Sequence, residues 1–316
     1  MAPKNHSLSV GNYPRSHSHY ESDLADKNLL TYPPALKPIE DILDAVIMTQ
    51  KLSDVVVSIV LVAPSGQGKS DALLKRYRNL TGMHYTDTIS ATGLYRICQQ
   101  DFKNEKKFLL CPDFNVVLSR KSSTLTLLLG TMIGLMSDGS VRVDDGSPLR
   151  PEFPHKPVGL ITAMTPGEFE TQSRLMHRTG LIRRMIPIFY DYSPVTEIEI
   201  MKFRSQNGHS LQFHPKTDAE FFSETVKLKW VNGVKDNLIM LAQAFSASLQ
   251  FMPAWKDHKR IVIQGDKVSP VPMRDILEKL CEARARLTGK TVVDFEVYNF
   301  VQGFVKFTTY GQVTLL

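Results

Sequence analysis

The chain has 316 residues, 42% of them hydrophobic, enough for one large core or two modest ones. Its 38 basic and 32 acidic side chains leave a formal charge of +6, an excess that permits a polyanionic partner without requiring one. No uninterrupted apolar run approaches a membrane span, and the opening MAPKNHSLSVGNYPRSH lacks the apolar centre of a signal peptide, so a soluble cytoplasmic protein without membrane contact is expected.

Residues 1–35 are rich in Ser, His, Asn, Pro and Tyr without hydrophobic periodicity, and read as a polar, disordered tail ending at Pro33-Pro34. IEDILDAVIMTQ then carries apolar residues at helical spacing with acids in its first turn. VVVSIVLVA (55–63) is a continuous apolar run rich in β-branched residues, the pattern of a strand buried on both faces of a parallel sheet. DALLKRYRNL reads as the following helix, a short strand is expected near His84–Ile89, and a helix through Gly93–Gln100. KKFLLCPDF supplies a second buried strand, and STLTLLLGTMIGLMSDG a helix interrupted or ended near its glycines. SVRVDDGSP has hairpin character around Asp145-Gly146. VGLITAMTP is a third buried strand, and LIRRMIPIFYDY leads into a fourth. Beyond Ser193-Pro194 the alternation stops, and TDAEFFSETVKLKW, DNLIMLAQAFSASLQF and PMRDILEKLCEARARL read as mostly helical. This divides the chain into a tail (1–35), an α/β core (36–194) and a helical C-terminal module (195–316).

Cys98, Cys111 and Cys281 form no CxxC pair and have no nearby His at metal-ligand spacing; Cys111 and Cys281 sit in apolar patterns that mark packing residues. The strongest chemical signal is IVLVAPSGQGKSDALL, a buried strand, a small-residue loop and a helix start. Glycines let such a loop curl with its N–H groups inward, so that the loop Pro64, Ser65, Gly66, Gln67 and Gly68 cradles anionic phosphates at a helix N-terminus. Lys69 would reach the β- and γ-phosphates of ATP, and the Ser70 hydroxyl would ligate Mg²⁺. Ala63 stands where the strict G-x-x-x-x-G-K-[ST] pattern has its first Gly, a small residue in place of a smaller one. Asp113, closing the FLLC run, is the candidate for the Mg²⁺–water shell at the end of a strand beside this loop. Many ATPases of this type follow that Asp with a water-polarising Glu; here Phe114 and Asn115 follow, and Asp101 and Glu105, ahead of the strand, are poorly placed to replace it.

With these motifs the chain resembles the AAA+ ATPases, within them the replicative-type and phage-encoded ATPases related to MCM helicases, over about residues 40–300. The resemblance implies a P-loop parallel-sheet core with a C-terminal helical lid. In LITAMTP it places Thr165 where the family often has a sensor Asn. In RTGLIRRMIPIF it implies an arginine finger acting on the neighbouring subunit, at Arg184 or alternatively Arg183, against a plain basic patch. In PMRDILEKLCEARARL it implies a sensor-2 cation in the first turn of a helix, Arg274, with Lys279 and Arg284 as alternatives. It also implies a homo-oligomeric ring, a hexamer. Three readings of what ATP hydrolysis drives stand at this point. The first is a DNA replication motor, helicase or helicase loader on single- or double-stranded DNA, gripping phosphates through a hairpin with Arg142, Arg150, His155 and Lys156, although Asp144 and Asp145 share that loop. The second is a protein-remodelling ATPase with Tyr95 or Phe102 in a pore loop, and the third an ATP switch that hydrolyses slowly.

Overall fold

The computed structural model describes residues 36–315 apart from 53–55, 71–73, 101–107, 140–156, 208–214, 222–226, 257–258, 266 and 309–313. The tail, the 145–146 hairpin with Arg142, Arg150, His155 and Lys156, and also Asp101, Phe102 and Glu105, lie outside the described residues.

In chain order, α1 (Lys37–Leu52) precedes β1 (Ser58–Val62), whose five residues are all buried. β2 (Met83–Tyr85), α2 (Ala91–Gln100) and β3 (Phe108–Cys111) follow, then the single turn α3 (Asn115–Leu118) and α4 (Ser122–Asp138). β4 (Gly159–Met164), α5 (Pro166–Thr179), β5 (Met185–Asp191) and α6 (Pro194–Asn207) complete the first two thirds. The remainder comprises β6 (Lys229–Trp230), α7 (Val234–Ser248), β7 (Phe251–Lys256), β8 (Lys259–Gln264), α8 (Pro270–Leu287), β9 (Val292–Val293), α9 (Phe295–Phe307) and β10 (Thr314–Leu315).

The main sheet has the order β10-β5-β1-β4-β3-β2, with every neighbouring pair parallel. An all-parallel sheet needs helices on its faces, which explains why β1, β3 and β4 are apolar without alternation. Parallel strands also align their carboxyl ends along one edge, where ligands of such sheets bind. Gly159 begins β4 at a tight place: a Cβ there would stand 2.4 Å from both the Phe108 ring and Val56.

The strand that leads to Asp113 ends beside the loop that follows β1, as expected, although β4 is inserted between β1 and β3. The helix over STLTLLLGTMIGLMSDG ends at its last glycine, one of the two expected alternatives: α4 runs through Gly130 and Gly134 to Asp138 and stops at Gly139 in a left-handed conformation (φ 64°). Two expectations need correction. Over DALLKRYRNL the described residues form a 3-10 turn, Leu74–Tyr77, instead of an α-helix. The C-terminal part is also not all helical. It contains the β6–β9 pair and the β7–β8 antiparallel hairpin, and TDAEFFSETVKLKW contributes only a 3-10 turn, Asp218–Phe221, and β6 among its described residues. Its last strand, β10, returns to the main sheet beside β5. α7 and α8 do form where expected, and α8 packs along α1.

All three cysteines are free and buried; burial pushes the Cys98 and Cys111 thiols up to about 12 and Cys281 higher still, so they are unreactive packing groups. Among the described residues no helix is long and apolar enough to cross a membrane.

Candidate phosphate site at the carboxyl edge of the sheet

Ala63 and Pro64 leave β1 as irregular chain, and Ser65 through Gly68 turn back before the helical residues Lys69 and Ser70. Gly66 (φ 82°) and Gly68 (φ 74°) occupy left-handed conformations, which L side chains rarely adopt, so both positions require glycine. A Cβ on Gly66 would meet nothing within 4 Å, so its backbone borders open space where an anion can approach.

The loop is anchored on its far side by β5. Gln67 is buried; its Nε2 donates to Asp191 Oδ1, while its carbonyl accepts from Tyr192 Oη at 2.9 Å and from Tyr190 Oη at 3.4 Å. Burial pushes the Tyr190 hydroxyl well above its ordinary value, so it stays a neutral donor. These contacts fix the loop conformation without using the N–H groups that would face a phosphate.

Lys69 is 8% exposed, and its ammonium donates to the carbonyls of Ala63 and Pro64, each at 2.6 Å. Burial pushes its pKa below the ordinary lysine value, opposed by the charges of Glu168 and Asp113. Ser70 Oγ donates to the Pro112 carbonyl at 3.1 Å, which sets the hydroxyl beside the turn that presents Asp113. Asp113 is exposed, and its Oδ1 accepts from the Asn115 N–H at 3.0 Å. The structure therefore brings Lys69, Ser70 and Asp113 together although β4 separates their strands.

Among the described residues no group of three or more His, Cys, Asp or Glu side chains converges as a metal cage. Ser70 and Asp113 still offer adjacent hard oxygen donors. They fit Mg²⁺, which commonly takes one or two protein ligands and completes its shell with phosphate oxygens and water.

Thr165 is the N-cap of α5, and β4 delivers it to the same edge. Its hydroxyl accepts from the Glu168 N–H at 3.4 Å, and its own N–H donates to Glu168 Oε2 at 2.8 Å, a capping box that holds both side chains in register. Glu168 was not singled out from the sequence. The signal was available in T-P-G-E, the S/T-x-x-E spacing of a capping box, but spacing alone does not say that the cap sits above a phosphate loop.

Phe114 is fully buried, and its N–H donates to the Ala163 carbonyl at 3.1 Å. The position after Asp113 thus points into the core, where an unpaired carboxylate would be expensive.

The remaining expected residues lie elsewhere. Arg184 precedes Met185, which pairs with Ser58 at the amino end of β1, whereas the loop leaves at Ala63. At about 3.3 Å per residue it is roughly 16 Å along the strands from the loop. Its Nε donates to Ser137 Oγ and its Nη1 to the Gly180 carbonyl at 3.0 Å, while Arg183 is the more exposed of the pair. Arg274 lies in the second turn of α8, not the first, because Ser269 is the N-cap; it is exposed and faces Glu278 at 3.4 Å. Lys279 pairs with Glu282 at 2.8 Å. Arg284 approaches Asp41 of α1 at 3.6 Å and lies over the Phe300 ring at 4.3 Å, so both are occupied within the fold. Tyr95 is partly buried against the core.

No protein-family model matches the chain, and a search of curated proteins finds none that matches.

Proposed function

We propose that the chain binds ATP with Mg²⁺ at the carboxyl edge of its parallel sheet and hydrolyses it to ADP and phosphate. The observation that carries this reading is the convergence of Lys69, Ser70 and Asp113 around a loop with two left-handed glycines. Loop N–H groups and Lys69 would hold the phosphates, while Ser70 and Asp113 would hold Mg²⁺, which supplies charge neutralisation on the phosphate oxygens. Thr165, fixed as a helix cap, retains a hydroxyl proton with which to orient a water or a phosphate oxygen.

The AAA+ reading, with a ring in which Arg184 or Arg183 completes a neighbour's site, draws support from the placement of both arginines at the opposite edge of the sheet from their own loop. Acting in cis would need a span of roughly 16 Å; acting in trans needs only a neighbour packed against that edge. Arg184→Ala is expected to spare ATP affinity and lower turnover about 10³-fold, the scale of a lost arginine finger. Mixing it with Lys69→Ala subunits should restore part of the activity. No restoration would remove the trans assignment.

For the polymer on which hydrolysis acts, we favour DNA over a protein, because the chain is basic by six charges and Tyr95 packs against the core. The first experiment is ATP binding and steady-state hydrolysis with Mg²⁺, with and without single-stranded DNA, beside Lys69→Ala. Tight binding abolished in Lys69→Ala, and turnover raised by DNA in a salt-sensitive manner, are the expected results. Unchanged affinity in Lys69→Ala would sink the phosphate site, and turnover indifferent to DNA would sink the DNA reading alone.

A further inference from the structure

Resting on the ATPase reading above, we infer that Glu168 is the catalytic base, replacing a carboxylate that cannot stand after Asp113. Three geometric facts lead there. Phe114 fills a fully buried site and is tied by its N–H to β4, so the chain offers no room for an acid at that position. β4 lies between the strand that ends in the phosphate loop and the strand that ends in Asp113, so its carboxyl end opens between Lys69 and Asp113. Glu168 stands in the first turn of the helix that starts there, oriented by the Thr165 N–H on its Oε2.

That single bond leaves Oε1 with acceptor capacity, which is what abstraction of a proton from water requires. The Glu168 charge also acts on the Lys69 ammonium, ahead of Asp113, which places the carboxylate within electrostatic reach of the loop lysine. Among the described residues, the other carboxylates at this edge besides Asp113 are engaged or distant. Asp191 Oδ1 already accepts from Gln67 Nε2 and from the Tyr192 N–H at 2.8 Å. Asp87 follows β2, the outermost strand, with β3 and β4 between it and β1.

In the step itself, a water oxygen forms a bond to the γ-phosphorus and the bond from that phosphorus to the β,γ-bridging oxygen breaks. The electron pair of that bond leaves on ADP. One water proton passes to Glu168 and then to the released phosphate or solvent, which regenerates the carboxylate. Thr165 is a positioning residue in this scheme, since its N–H aims the carboxylate.

The test is Glu168→Gln in the full chain, because glutamine keeps an acceptor for the Thr165 N–H and spares the cap. Four readouts are taken: steady-state turnover, affinity for a fluorescent ATP analogue, melting temperature, and the identity of the nucleotide bound after incubation with ATP and Mg²⁺. Affinity within about twofold of the parent, turnover lowered about 100-fold or more, and ATP rather than ADP retained on the protein are the expected outcomes. Turnover at the parental rate overturns the inference and leaves the phosphate site standing. So does a parent that binds ATP tightly but never hydrolyses it. A parent that fails to bind ATP at all overturns the underlying reading, and the inference with it. If the glutamine variant melts early, Glu168→Asp keeps an acidic cap and takes its place. Turnover about tenfold lower at unchanged affinity is then expected, and parental turnover overturns the role.

Discussion

Among the described residues Lys69 is buried and Lys216 nearly so, and they are held in opposite ways. Lys69 donates only to the carbonyls of Ala63 and Pro64, and burial pulls its pKa below the ordinary value. Lys216 instead meets Glu40 at 2.9 Å, Glu220 at 3.0 Å and Asp44 at 3.2 Å, with Arg76 also on Glu40 at 3.0 Å. Burial alone would lower the Lys216 pKa, but these carboxylates outweigh it and raise it above the ordinary value. A buried cation bonded to carbonyls, with carboxylates acting only through space, retains affinity for an anion; one in direct contact with carboxylates is already neutralised by the fold. This contrast favours the proposed binding role for Lys69, whereas Lys216 ties α1 to the chain that follows the phosphate loop, where its N–H also donates to the Arg76 carbonyl at 2.8 Å.

Substitution should separate the two most clearly at Lys216. Lys216→Met removes the main partner of two buried carboxylates, and a loss of about 3 kcal/mol at neutral pH is expected, read by denaturant unfolding. A loss below about 1 kcal/mol would show that Arg76 and the Tyr77 hydroxyl, 2.8 Å from Asp44, suffice without it.

A smaller effect concerns acid. Burial tends to raise the Glu40 pKa, but the Lys216 hydrogen bond and the Arg76 and Lys216 charges bring it below the ordinary 4.5. Its contribution is thus fully present above 4.5 and is lost as pH falls through the depressed folded value. Asp44 goes the other way: burial raises its pKa above 3.8 despite Lys216, so the folded state takes up that proton more readily than the unfolded chain. In Lys216→Met Asp44 loses its cation and Glu40 keeps only Arg76, so protonation relieves the variant before it relieves the parent. The stability gap between the two proteins should shrink as pH drops below about 4.5. A gap that widens on acidification would refute the cluster's role.

The smallest stability effect is expected at Lys69. Lys69→Ala releases two carbonyls but also removes a desolvated charge, so stability should stay within about 1 kcal/mol of the parent. Saturating ATP should raise the parent's melting temperature and leave the variant's unmoved. A destabilisation comparable to that at Lys216 would make Lys69 a structural lysine and erase the contrast.

Local pattern was enough to locate the buried strands, because mostly apolar runs such as SIVLV and GLITAM mark strands covered on both faces. It was enough to mark the glycine turn after β1 as well, since Gly66 and Gly68 adopt left-handed conformations within a few consecutive residues, which is local chemistry. It was not enough wherever distant segments had to be ordered. The insertion of β4 between β1 and β3, the return of β10 to the sheet, and the burial of Phe114 against β4 depend on packing between strands far apart in the chain. The contact of Lys216 with Asp44 spans 172 positions and leaves no periodic trace. The role of Glu168 falls between the two cases. Its capping box is written in T-P-G-E, yet only the strand order puts that cap between Lys69 and Asp113, because the alignment of parallel strands decides which helix starts share an edge.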